Sequence, residues 1–194
     1  MGKTKLKPVY KGKPKQKPSL FVPIAIGVLV LIAVLVVAFG QQPGQRSASN
    51  QTPQIEGLES FPSEGANHVA PGTRVDYKTD PPTSGAHYEA PVAPGFYDRE
   101  MPAEALVHNL EHGHIVIYYD PERTPAEDIE KIRRLTEQYS DYWDAVVGVP
   151  RNDPEYPVIL TAWTKMLRLK EWDEERVNAF VDAFRGRGPE NPVR

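Results

Sequence analysis

The sequence predicts an α+β domain behind one N-terminal transmembrane helix, its elements running α-β-α-β-β-α around a small mixed sheet. Three observations carry this reading. Residues 20–39 are an unbroken apolar run. Residues 102–139 hold two helix patterns with start and stop signals, separated by a β-rich run. Beyond them lie two short β-branched runs and a last amphipathic stretch at helical spacing.

The apolar run LFVPIAIGVLVLIAVLVVAF has no charged side chain. As an α-helix, 20 residues cover about 30 Å, the hydrocarbon thickness of a bilayer. The span is placed at residues 20–40, behind a basic tail at residues 1–19. Ala38-Phe39-Gly40 also offers a small-residue cleavage pattern, but the run is longer than a signal-peptide core. Seven lysines precede it and only Arg46 follows closely. The positive-inside rule therefore keeps the N-terminus in the cytoplasm and sends the rest of the chain outside the cell membrane.

Residues 41–57 are polar and read as a flexible linker, and residues 58–188 as the extracytoplasmic domain, with residues 189–194 as a tail. Nine of the 20 prolines fall between Pro43 and Pro102. The turn signals PSEG, APGT, DPPTSG and APVAPG make residues 58–102 a long ordered loop region rather than a sheet.

Regular structure is expected from Pro102, which opens a short helix that Gly113 ends. Ile115-Val116-Ile117-Tyr118-Tyr119 reads as a buried strand. Thr124-Pro125-Ala126-Glu127 has capping-box spacing and opens a helix to about Tyr139, with Ile129, Ile132 and Leu135 as its apolar stripe. Residues 145–149 and 158–162 are short strands, expected to pair as a hairpin, while the strand–helix–strand unit before them should be a right-handed parallel crossover. Asp173 caps a last helix whose Val177, Phe180, Val181 and Phe184 recur at i, i+3, i+4 and i+7. Tyr77, Tyr88, Tyr97, Phe96 and Trp163 are expected to form a core beneath the loop, and Met101 to pack beside the first helix.

Composition excludes several function classes. After Gly40 the chain holds 16 Lys/Arg against 26 Asp/Glu, so this body lacks the clustered cations that nucleic acid requires. There is no cysteine, which rules out disulfide frameworks, thiol catalysis and thiolate metal sites. No glycine-rich phosphate loop is present, and Ser84 lacks a nucleophile elbow, so it reads as a turn residue.

The five histidines are the chemical signal. Four lie between His87 and His114, and His68 precedes them. His108 and His112 stand four apart on the expected helix, so their rings project from one face about one turn apart. Such a pair on a rigid element suits a metal ion. His87 in the proline-stiffened PPTSGAH turn supplies a third ring and His68 a fourth. With no thiolate available, a nitrogen-rich set points to a copper or zinc ion rather than calcium or magnesium. His108-Asn109-Leu110-Glu111-His112 also matches H-x-x-E-H, in which Glu111 would polarise a zinc-bound water for hydrolysis. Glu127 or Asp128 could then supply an acidic third ligand. His114, at a strand start, reads as a structural residue.

Several motifs together carry a resemblance. Tyr77, Pro81-Pro82-Thr83-Ser84-Gly85 followed by His87, Gly95, Tyr97-Asp98, Val107-His108-Asn109-Leu110-Glu111-His112-Gly113 and Leu160-Thr161-Ala162-Trp163 resemble the domain-of-unknown-function 3105 family over about residues 60–185. The resemblance implies a prokaryotic protein, often membrane-anchored or exported, with histidines at the positions of His68, His87, His108 and His112 and no established activity. His114 departs from the pattern, where a second Gly is usual. Three function classes stay open: a metal-binding extracytoplasmic module, an H-x-x-E-H zinc-dependent hydrolase, and a non-catalytic structural or partner-binding domain whose histidines are a polar core.

Overall fold

A computed structural model describes residues 54–194. The expected transmembrane helix, its basic tail and most of the linker lie outside the described residues. Among the described residues no helix is long and apolar enough to cross a membrane.

Among the described residues, eight strands and three helices follow in order. They are β1 (Leu58–Ser60), β2 (His68–Val69), β3 (His87–Tyr88), β4 (Gly95–Phe96), α1 (Ala103–Glu111), β5 (Ile115–Tyr119), α2 (Ala126–Gln138), β6 (Val146–Pro150), β7 (Val158–Ala162), β8 (Lys165–Leu169) and α3 (Glu174–Phe184). Six strands form one mixed sheet in the order β1-β8-β7-β5-β6-β4, and β2 and β3 pair separately as a parallel ribbon. This is an α+β architecture. β5 is completely buried because the sheet is covered on both faces, which is why it reads as a continuous apolar run rather than an alternating one. Ile115, Ile117 and Tyr119 face Ile132 of α2 and Val177, Phe180 and Val181 of α3. Val116 and Tyr118 face the other way, onto Leu106 and Leu110 of α1 and onto Val92.

The β5-α2-β6 unit is the expected parallel crossover, with Ile115 opposite Val146 and Ile117 opposite Gly148. Gly148 admits the helix: a Cβ there would stand 3.0 Å from Ile132 Cγ2 and from Phe96. The expected hairpin between residues 145–149 and 158–162 does not form. β6 and β7 instead flank β5 on opposite sides, β6 parallel and β7 antiparallel. The hairpin partner of β7 is β8, which the sequence reading left out. Its two-residue connection, Trp163-Thr164, holds Thr164 at φ 61°, a conformation that β-branched residues resist. Backbone bonds from Thr164 N to Thr83 O (2.8 Å) and from Phe61 N to Thr164 O (3.0 Å) hold it there.

Residues 58–102 are mostly loop, yet they also contribute four short strands, β1 and β4 at the two edges of the main sheet. Both expected helix starts shift by one residue: Pro102 and Pro125 are the N-caps, without a side-chain cap bond. The capping box at Thr124 is not formed, because its hydroxyl donates to the Pro157 carbonyl at 3.0 Å. Asp173 does cap α3, accepting from Arg176 N. Tyr88, Tyr97, Trp163 and Met101 pack beneath the loop on the α1 side. Phe96 packs on the opposite face and stacks on Tyr119.

Candidate metal site

The short ribbon sets two imidazoles side by side, because its register places His68 opposite His87. Backbone bonds from Gly85 N to Gly65 O and from His87 N to Asn67 O tie the two segments together. β3 lies against α1, and this brings His108 to the pair. The ring centroids of His68, His87 and His108 lie 5.0, 5.2 and 5.0 Å apart. One ligand atom from each ring falls within 4.8 Å of the other two, so the three can hold a metal ion. His87 and His108 are buried, whereas the side chain of His68 is 50% exposed.

Backbone carbonyls fix the two buried rings. His87 Nδ1 lies 2.8 Å from Gly85 O, and His108 Nδ1 lies 2.6 Å from Tyr88 O. A carbonyl only accepts, so each Nδ1 carries a proton and each Nε2 is the atom turned toward the neighbouring side chains. This is the outer-shell arrangement that orients imidazoles on metals. His87 Nε2 stands 3.0 Å from Glu111 Oε2, with both groups buried. Two facing lone pairs repel unless a cation, either a proton or a metal ion, lies between or beside them. Glu111 Oε2 is also 3.9 Å from His68 Nε2. The carboxylate thus lies beside two of the three imidazoles.

His112 occupies a second position. Its Nε2 is 3.0 Å from His108 Nε2 and 2.9 Å from Glu190 Oε2, and His108, His112 and Glu190 form a second group able to hold an ion. Trp143 and Tyr142 lean on this ring with centroids 4.5 and 4.8 Å away. Burial, followed by the neighbouring His108, lowers the pKa of His112 below the ordinary imidazole value.

Glu190 arrives from the C-terminal segment, which turns back over the end of α1. Gly186 N bonds to Gly113 O at 2.8 Å and Glu190 N to Glu111 O at 3.3 Å. Gly113 permits the approach: its φ is 90°, and a Cβ there would lie 2.7 Å from Gly188 N. Sequence reasoning missed Glu190, since it follows the last helix in a segment with no periodicity. It considered Glu111 only as a base.

His114 stands outside both groups. Its Nδ1 accepts from Asn109 Nδ2 at 3.0 Å and its Nε2–H donates to Tyr142 O at 2.6 Å. Burial pushes its pKa down to about 4, only partly offset by the Tyr142 carbonyl. Asn109 also accepts from Val92 N and donates to Val92 O, so one buried amide pins loop, helix and strand together. Ser84 is buried and accepts from Glu64 N. Asp128 pairs with Lys131 on α2, and that helix packs on the opposite face of the sheet from α1, so neither Asp128 nor Glu127 reaches the histidines.

Fold and site together define an α+β domain that encloses a cluster of histidines able to hold a metal ion. The family model described as "Protein of unknown function (DUF3105)" matches residues 68–194, and the chain belongs to that family. Comparison with curated proteins and with solved structures found no match.

Proposed function

We propose that this domain binds one transition-metal ion, copper or zinc, through His68, His87 and His108 with the Glu111 carboxylate beside them. The observation that carries the reading is the pair of buried rings whose Nδ1 protons are committed to Gly85 and Tyr88 carbonyls. Both Nε2 atoms are thereby turned inward as candidate ligand atoms, and His87 Nε2 faces a carboxylate oxygen. Imidazole and carboxylate donors suit Cu(II) and Zn(II). His112 extends the set through His108.

Residues 20–40 are proposed to anchor the domain on the outer side of the cell membrane, the lysine-rich tail remaining inside. A reporter fused after Arg194 should be active only in an extracytoplasmic setting. A soluble product beginning near Gln41 would instead support cleavage.

The direct test of binding is the metal content of purified protein after loading with Cu(II) or Zn(II) and desalting. One ion per chain is expected, with none retained by the double variant His108→Ala/His112→Ala. If that variant binds like the parent, the histidines are a hydrogen-bonded polar core and the metal reading fails. Glu111→Gln should retain the ion with lowered affinity, since three imidazoles remain.

A further inference from the structure

The two donor groups share a single atom. His108 Nδ1 is occupied by the Tyr88 carbonyl, so the ring offers one lone pair, on Nε2. That atom cannot serve an ion among His68, His87 and His108 while also serving one among His108, His112 and Glu190. We propose that His108, His112 and Glu190 form a second ion position, adjacent to the first and exclusive of it, so that one transition-metal ion exchanges between two places. The proposal rests on the metal-binding reading above.

Three features support it. Each position has one exposed ligand, His68 at one end and Glu190 at the other, with side chains 50% and 46% exposed. Between them His87, His108 and His112 are buried, so each position has one ligand in contact with solvent and the two have a buried imidazole in common. His112 differs from the other two buried rings of the pair of sites. Its Nδ1 is buried without a hydrogen-bond partner, so no carbonyl holds that nitrogen, and the ring turns Nε2 toward His108 and Glu190, the two other donors of the position. Finally, Glu190 adds a negative oxygen 2.9 Å from His112 Nε2, which gives the second position the charge that the first receives from Glu111.

The test uses the full chain, with Cu(II) alone as probe, followed by equilibrium competition with a chelator and by electron paramagnetic resonance. His68→Ala and Glu190→Ala alter exposed side chains, and circular dichroism checks that each folds. The parent should saturate at one ion. Each single variant should still bind one ion, more weakly than the parent and with spectra that differ from one another. His68→Ala/Glu190→Ala should lose far more than either single change, beyond the ~10–100-fold that removal of an outer-shell partner brings. Two ions per parent chain would overturn exclusivity. Complete loss in His68→Ala, or no effect of Glu190→Ala in either background, would overturn the second position while leaving the first intact. A parent that binds no copper overturns both readings.

Discussion

His114 offers a measurement that tests the described core without reference to any metal. The ring is 1% exposed, its Nδ1 receives the Asn109 amide and its Nε2–H is spent on the Tyr142 carbonyl. A second proton could go only on Nδ1, where it would face an N–H donor in a buried site. The folded pKa is accordingly about 4, against ~6.5 for a solvated imidazole. The unfolded chain therefore takes up this proton first as pH falls. The stability that His114 contributes is present in full above pH ~6.5, declines between ~6.5 and ~4, and is gone below. At ~1.4 kcal/mol per pH unit the loss is about 3 kcal/mol. The assay is urea unfolding in the presence of a chelator between pH 7.5 and 4, comparing the parent with His114→Leu, together with the ring proton shifts of His114 by NMR. The variant should be less stable at pH 7.5, by about 1–3 kcal/mol for each buried group left unpaired. Its stability should nevertheless fall less steeply than the parent's across the window. Titration of the His114 ring near pH 6.5, or parallel slopes for the two proteins, would refute the reasoning.

Three further outcomes are expected. Gly113→Ala adds a side chain at φ 90° against the backbone of Arg187 and Gly188; beyond the ~1–2 kcal/mol for the backbone conformation, it should lift the C-terminal segment, read as faster carboxypeptidase digestion than in the parent. Asn109→Leu strands the N–H and C=O of Val92 and the Nδ1 of His114 and should lower unfolding stability by at least about 2 kcal/mol, whereas a change under ~0.5 kcal/mol would show that water replaces the amide. Bound copper or zinc should be held at pH 7.5 and released towards pH ~5, because each imidazole must be neutral to donate its lone pair; equilibrium dialysis at the two values reads this directly, and retention at pH 5 would point to carboxylate-dominated binding.

Local signals made much of this molecule legible in the amino-acid order. Helical periodicity at Val177, Phe180 and Val181, and the Asp173 cap, specify α3 because the cap satisfies the helix start locally and the periodic residues line its buried face. The β-branched and aromatic run at Ile115–Tyr119 specifies a central strand, since such a run is stable only when both faces are covered. The spacing of His108 and His112 determined that two rings would share one face of α1, and helix geometry does bring their Nε2 atoms to 3.0 Å.

What depends on distant chain segments was decided only by the tertiary structure. The strand following β6 could pair with it or cross to the far side of β5; nothing in the Pro/Asn/Asp turn selects between these, and packing on the two sheet faces chose the second. The β7–β8 hairpin carries no Asn-Gly or Asp-Gly signal because its Thr164 is held at φ 61° by bonds to Thr83 and Phe61, residues remote in sequence. The site follows the same division. Residue types announced imidazole chemistry, but the ribbon register that sets His68 beside His87, the Gly85 and Tyr88 carbonyls that fix two tautomers, and the returning segment that carries Glu190 to His112 are all long-range contacts. A spacing rule reports only what one helix or strand can place on its own surface, and this site is assembled from four separate segments of chain.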